Sequence, residues 1–181
     1  MKGQFFILGA ILISILLFAA LPIRGPELKT TLTKDMVYLS DNVKNEFPKA
    51  VNLGLSSDKA IDTLRNFTEF VEAVMNEHFI DFNALWLLEQ PFNTNINLTV
   101  GNFFDEDVTV YINLSNDLRS LHLPKNSTNY TVFSSVPEEF DLVITFGNRT
   151  KIIHWFRDKV NLYMFFSMGR GEEILINELK R

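Results

Sequence analysis

Apolar residues follow three different patterns along the chain, and the first pattern predicts a membrane span. Phe5 to Leu21 is an apolar run that only Gly9 and Ser14 interrupt. As a helix this run is about 26 Å long, close to the roughly 30 Å hydrocarbon core of a bilayer. We therefore expect residues 1–25 to contain a transmembrane helix that contacts membrane lipid and ends at Pro22.

The second pattern, over residues 26–91, predicts a helical stem. Pro26 suits the first turn of a helix, and Glu27 beside it complements the helix dipole. An apolar stripe at helical spacing follows, made of Leu28, Leu32, Met36, Leu39, Val43 and Phe47. Pro48 and Gly54 predict the end of this helix.

A second stem helix is predicted after Ser56 and Ser57, which can cap it. Its apolar face contains Ile61, Leu64, Phe67, Val71, Val74, Met75 and Phe79. These faces can cover a core of the same chain or an equivalent helix of a neighbour, and such stripes more often fill a core. Residues 81–89 are compatible with more helix or with a first strand, and Pro91 ends either one.

The third pattern begins at Ile96, where the apolar period changes from about 3.6 to 2 and predicts strands. Turn residues separate seven segments: INLTV, VTVYINL, YTVFSSV, FDLVITF, KIIHWF, VNLYMFF and EILINEL. Short strands at this spacing predict an antiparallel β-sandwich over residues 92–181, with the immunoglobulin-like fold as one form. The expected fold class is therefore α+β.

Composition narrows the function classes. The 181 residues allow one ordinary domain beyond the apolar segment. A net charge of -5 disfavours nucleic-acid binding. The absence of cysteine excludes disulfides, thiolate metal sites and cysteine nucleophiles, and it suits a prokaryotic surface protein better than a eukaryotic one.

Six N-x-[ST] sequons support export of the chain. They lie at Asn66, Asn97, Asn113, Asn126, Asn129 and Asn148. Six is more than composition alone predicts, although asparagine and threonine also suit the outer positions of any β domain. Asn97 and Asn113 alternate with apolar strand residues and should face outward. All six are glycosylation candidates in a host that modifies asparagine.

Candidate catalytic and metal-binding groups are few. His78, His122 and His154 are far apart in sequence, without a partner at metal-ligand spacing. The acidic run Asp105 to Asp107 lacks the glycine and the downstream glutamate of an EF-hand loop, so a solvated turn is the expected structure.

Five carboxylates could in principle supply a pair for glycoside hydrolysis: Glu138, Glu139, Asp141, Glu172 and Glu173. Nothing in the sequence fixes their separation. No nucleophile elbow, zinc-protease motif, P-loop or dinucleotide fingerprint occurs. We therefore expect a non-enzymatic protein without catalytic residues, metal, cofactor or small-molecule substrate.

Lys2-Gly3-Gln4 directly precedes the apolar run. This order resembles the class III signal peptide of archaeal type IV pilin-like proteins, in which a prepilin peptidase cuts between Gly and Gln. The resemblance implies cleavage between Gly3 and Gln4, retention of the apolar helix as an anchor, and assembly of copies into a filament. Phe6 and Leu8 stand where many such pilins have Ser and Glu, so anchoring is implied more directly than polymerisation.

Two other interpretations of the first segment stay open. It can be a plain signal anchor, or a signal removed near Ala20, where Phe18 occupies a position that needs a small residue. All three export the rest of the chain. We expect a single-pass cell-membrane protein with a cytoplasmic N-terminus and an extracellular domain. It is either a pilin-like subunit or a tethered binding or adhesion domain that does not polymerise.

Overall fold

The computed structural model describes the backbone of residues 28–181 and the side chains of residues 34–181. Two helices, α1 (Leu28–Leu55) and α2 (Ala60–Glu77), come first within this range. Nine strands follow: β1 (Asp81–Phe92), β2 (Asn95–Phe103), β3 (Val108–Leu114), β4 (Asp117–Leu123), β5 (Ser127–Phe133), β6 (Glu139–Phe146), β7 (Arg149–Phe156), β8 (Asn161–Arg170) and β9 (Glu173–Lys180).

The strands form two antiparallel sheets with a shared core. The larger sheet has the order β5-β2-β1-β8-β9, and the smaller has the order β4-β3-β6-β7. Leu98 and Phe165 from the larger sheet and Ile112 and Ile144 from the smaller one belong to the same buried cluster. The prediction of an α+β chain with an antiparallel β-sandwich is confirmed.

Both helices pack on the outer face of the larger sheet and form a third layer. Phe47 of α1, Leu64 of α2 and Trp86 of β1 belong to one buried cluster. The first stripe from Met36 onward and the second stripe from Ile61 to Met75 therefore fill a core within the chain, as their spacing favoured. The prediction was wrong for Phe79, which follows the end of α2 and is 87% exposed. A short turn joins the helices, and they run antiparallel: the rings of Phe47 and Phe67, on either side of the turn, have centroids 5.0 Å apart. Neither helix within residues 28–181 has the length and apolarity needed to cross a bilayer.

Pro48 does not end the first helix. α1 continues through it to Leu55, although a proline inside a helix removes one backbone hydrogen bond. Phe47 and Val51 lie on either side of Pro48 and are buried against the sheet. This packing on both sides offsets the lost hydrogen bond, because tertiary contacts supply most of a helix's stability.

The serine pair closes the first helix and does not open the second. Ser56 Oγ donates to the carbonyl of Leu53, and Ser57 Oγ donates to the carbonyl of Gly54. α2 begins later, at Ala60, without a side-chain cap. The prediction that these serines cap α2 was therefore wrong.

Residues 81–89, whose pattern was compatible with helix or strand, belong to β1, which pairs with both β2 and β8. Residues 84–89 are all buried, so neither a helical nor an alternating period is visible in them. The boundary drawn at residue 91 lies inside this strand. Most of β1 thus lies within the predicted helical segment of residues 26–91, so this segment contributes a strand to the larger sheet as well as helices to the core.

Gly101 of β2 allows a close contact in the helix-covered core. It lies opposite Trp86 of β1. A Cβ atom at Gly101 would lie 2.3 Å from Cε2 of the Trp86 indole. That ring is fully buried beside Phe103, with the two ring centroids 6.2 Å apart. The position needs a glycine because the indole occupies the space of a side chain.

Candidate functional site

The expected processing site lies outside the described residues. Gly3, Gln4 and the apolar segment of residues 1–25 all precede α1, which begins at Leu28. Cleavage and membrane anchoring therefore stay predictions.

Four of the six sequon asparagines are exposed. Asn66 lies on α2, Asn126 in the β4–β5 turn, Asn129 on β5 and Asn148 in the β6–β7 turn. Each of these side chains is accessible in the folded domain.

The two sequon asparagines within central strands are less accessible. Asn97 and Asn113 face away from the core between the sheets, as their alternation predicts, because Ile96, Leu98 and Ile112 are buried there. Both are only half-exposed, and their amide oxygens are buried without a hydrogen-bond partner. The six sequons therefore fall into two classes of accessibility.

Two histidines lie on the exposed face of the smaller sheet, each near a carboxylate. His154 Nδ1 lies 2.9 Å from Asp141 Oδ1, and His122 Nε2 lies 3.9 Å from Asp107 Oδ2. His78 lies in the α2–β1 turn, where its carbonyl accepts a hydrogen bond from Arg170. Within residues 28–181, no three histidine or carboxylate side chains are grouped to hold a metal ion.

The acidic run forms the exposed β2–β3 turn and binds a lysine. Lys125 Nζ lies 2.6 Å from Asp105 Oδ1, and the backbone N–H of Lys125 donates to Asp107 Oδ1 at 3.0 Å. The hydrogen bond and the charge of Asp105 raise the pKa of Lys125. These carboxylates join the β2–β3 turn to the β4–β5 turn.

The carboxylates considered for glycoside hydrolysis lie at opposite ends of the sandwich. Glu138, Glu139 and Asp141 lie at the start of β6, next to the end of β7. A short turn leads from that end of β7 to the start of β8, and Glu172 and Glu173 follow the far end of β8. The structure therefore does not bring the first group together with the second as an acid and nucleophile pair.

The strand edge at β9 combines free backbone groups with exposed apolar side chains. β9 is the last strand of the larger sheet, and no strand within residues 28–181 pairs with its outer side. Ile174 is 71% exposed and Ile176 is 48% exposed. Lys151 Nζ of β7 lies 2.8 Å from Glu178 Oε1 and links the edge strands of the two sheets. Pairing order is not encoded locally, so the sequence alone did not reveal this edge.

A buried carboxyl group lies in the core between the sheets. Glu89 of β1 is fully buried; its Oε2 accepts a hydrogen bond of 2.5 Å from Asn161 Nδ2, and its Oε1 has no partner. Burial raises the pKa of Glu89 to about 7; the Asn161 hydrogen bond opposes this shift and the charge of Asp158 adds to it. The sequence signal was an acidic residue that ends the apolar run ALWLL.

Comparison with known proteins yields no relative that assigns a function. No family model matches the chain, and no curated protein is significantly similar to it.

Proposed function

We propose that this protein is a non-enzymatic, single-pass cell-surface protein, anchored by its N-terminal segment with the sandwich domain outside the cell. The observation that carries this proposal is the position of α1. This helix follows the apolar segment and is buried along the larger sheet from Met36 to Val51. The element that follows the proposed anchor is thus part of the domain core, so the anchor would hold the folded domain close to the membrane.

The specific function that we propose is a pilin-like subunit of a surface filament or envelope assembly. Lys2-Gly3-Gln4 before the apolar run supports cleavage by a prepilin peptidase between Gly3 and Gln4. A helix packed on an antiparallel β domain also resembles the broad architecture of pilin-like proteins. The partners are then membrane lipid, the peptidase and other copies of the chain.

The sequons support an extracellular location for the domain. Asn66, Asn126, Asn129 and Asn148 have exposed side chains, as acceptors of a glycan require. The formal charge of -5 argues against nucleic acid as a partner.

We infer further that β1–β7 follow an immunoglobulin-like order. β1, β2 and β5 are neighbours in one sheet, as strands A, B and E are in that fold. β3, β6 and β7 are neighbours in the other sheet, as strands C, F and G are, with β4 in the position of C′. The β8–β9 hairpin is an addition beside β1.

The second candidate function is a tethered adhesion domain that does not polymerise. Leu8 favours it, because it stands where many pilins carry a glutamate. The exposed edge of β9 also favours it, because such an edge can bind another protein without a filament.

Shearing of intact cells tests the proposed function. We expect the full domain in the sheared filament fraction, and in membranes when filaments are not assembled. Protein that stays entirely in the membrane fraction as a detergent-soluble monomer would support the tethered domain instead. Protein found only in the cytoplasm would contradict both candidates.

A further inference from the structure

The backbone of β9 offers four residues for pairing. Leu162 and Arg181 exchange both of their backbone hydrogen bonds, at 2.8 and 2.9 Å. In an antiparallel ladder such pairs alternate with pairs that do not exchange hydrogen bonds. The register of β8 and β9 therefore assigns outward-pointing backbone groups to Ile174, Ile176, Glu178 and Lys180.

The same edge has no proline to block pairing. Exposed edges are usually protected by proline, bulges or charged side chains, and the charged residues of β9 are Glu173, Glu178 and Lys180. Its two exposed isoleucines, Ile174 and Ile176, are themselves residues whose backbone groups point outward. An unpaired edge of this kind is a template for another strand.

Charge at the two ends of the β9 segment distinguishes the possible partners. Glu172 precedes the strand and Lys180 ends it, and both side chains are exposed. A second copy running antiparallel would place each glutamate opposite a lysine. A parallel copy would place like charges opposite each other, which destabilises strand pairing.

We infer that β9 pairs antiparallel with β9 of a second copy of this chain, with Ile176 of one copy opposite Ile176 of the other. This register also puts Glu172 opposite the second copy's Lys180 and Ile174 opposite its Glu178. It joins two five-stranded sheets into one continuous sheet. The contact is isologous and closes after two copies.

Antiparallel pairing sets the directions of the two α1 helices. α1 runs antiparallel to α2, so the N-terminal end of α1 lies near the C-terminal end of α2, where β1 begins. β9 runs parallel to β1 and begins at the same end of the sheet. In the pair, the N-terminal ends of the two α1 helices therefore point to opposite sides. If the chain is anchored as proposed, the contact joins copies displayed on facing surfaces and not neighbours in one membrane. The strand pairing itself does not depend on that anchoring.

Cysteine cross-linking of the full-length chain in detergent tests the inference, because the native chain contains no cysteine. Paired residues in this register have Cα atoms about 5.5 Å apart, within the range of a disulfide. We expect Ile176→Cys to give a covalent dimer on mild oxidation. Ile152→Cys, on β7, is the matched control, because Ile152 is also exposed, at 71%.

A second cross-linking pair fixes the direction of the strands. Ile174→Cys alone should remain monomeric, but it should cross-link when mixed with Glu178→Cys. A parallel pair would instead cross-link Ile174→Cys to itself as readily as Ile176→Cys. That result, or equal cross-linking of Ile176→Cys and Ile152→Cys, would overturn the inference.

Charge reversal provides a readout without cysteine. Lys180→Glu should weaken self-association of the full-length protein by roughly tenfold, measured by sedimentation, because it places like charges opposite each other. Adding Glu172→Lys should restore association, since the reversed pair is again complementary. A double variant as weak as the single variant would contradict the register. These results do not depend on N-terminal cleavage, so they separate this inference from the proposed function.

Discussion

Replacing Gly101 with alanine is expected to destabilise the protein by about 3 kcal/mol or more. The new methyl group would lie 2.3 Å from the Trp86 indole. That ring cannot move aside, because it is fully buried between β1 and the helices and lies against Phe103. The free energy of unfolding from urea titration measures the loss.

Gly169→Ala is the matched control, in another strand of the same sheet. The nearest atom to its added Cβ would be 3.8 Å away, an ordinary contact. Alanine restricts the unfolded chain more than glycine, so this variant should be as stable as the parent or slightly more stable. Trp86→Phe in the Gly101→Ala background should recover part of the loss, since a smaller ring frees space. Equal stability of the two alanine variants would contradict the close contact.

Glu89→Gln is expected to stabilise the protein at pH 8 by up to about 3 kcal/mol, at about 1.4 kcal/mol per pKa unit. Burial raises the pKa of Glu89 from its ordinary 4.5 to about 7, so the folded state holds this proton more tightly than the unfolded state. Protonated Glu89 therefore favours the folded state, and this contribution to the free energy of unfolding is fully present below pH 4.5 and is lost as the pH rises to about 7. Glutamine stays neutral and can still accept the Asn161 hydrogen bond.

Urea titrations of both proteins between pH 4.5 and pH 8 measure this effect. The free energies of unfolding of the parent and of Glu89→Gln should be close at pH 4.5 and diverge as the pH rises. Glu106→Gln, in the exposed β2–β3 turn, is the matched control for the substitution itself. A Glu89→Gln profile parallel to the parent over the whole range would show that Glu89 does not titrate there.

Alternation in the sequence predicted the strands with one buried face. β3 matches the predicted segment VTVYINL, because Val110, Ile112 and Leu114 are buried between the sheets while Tyr111 is exposed. The segment EILINEL was also predicted as a strand and forms β9, although only Leu179 is buried there and Ile174 and Ile176 are exposed.

The sequence left β1 open between helix and strand and did not predict β4, for opposite reasons. β1 is buried on both faces, by the helices on one side and by the smaller sheet on the other, so its sequence has no period. β4 has only Leu121 and Leu123 buried, too few to establish alternation. The helix boundary at Pro48 was wrong because tertiary packing outweighs a local preference.

The candidate site features depend on contacts that are distant in sequence. Glu89 and Asn161 are 72 residues apart, and their hydrogen bond exists only because β1 pairs with β8. The open edge of β9 likewise depends on the order of strands in the sheet. The sequence could reveal an acidic residue beside an apolar run, but neither its partner nor the edge.

The N-terminal residue of the native membrane-associated protein tests most directly whether a retained N-terminal segment anchors this domain at the cell surface. Mass spectrometry or Edman sequencing should show a chain that begins at Gln4 and retains Phe5 to Leu21. An intact Met1 would leave the anchor in place but contradict pilin-like processing. A chain that begins after Ala20 has lost the anchor and would contradict the account as a whole.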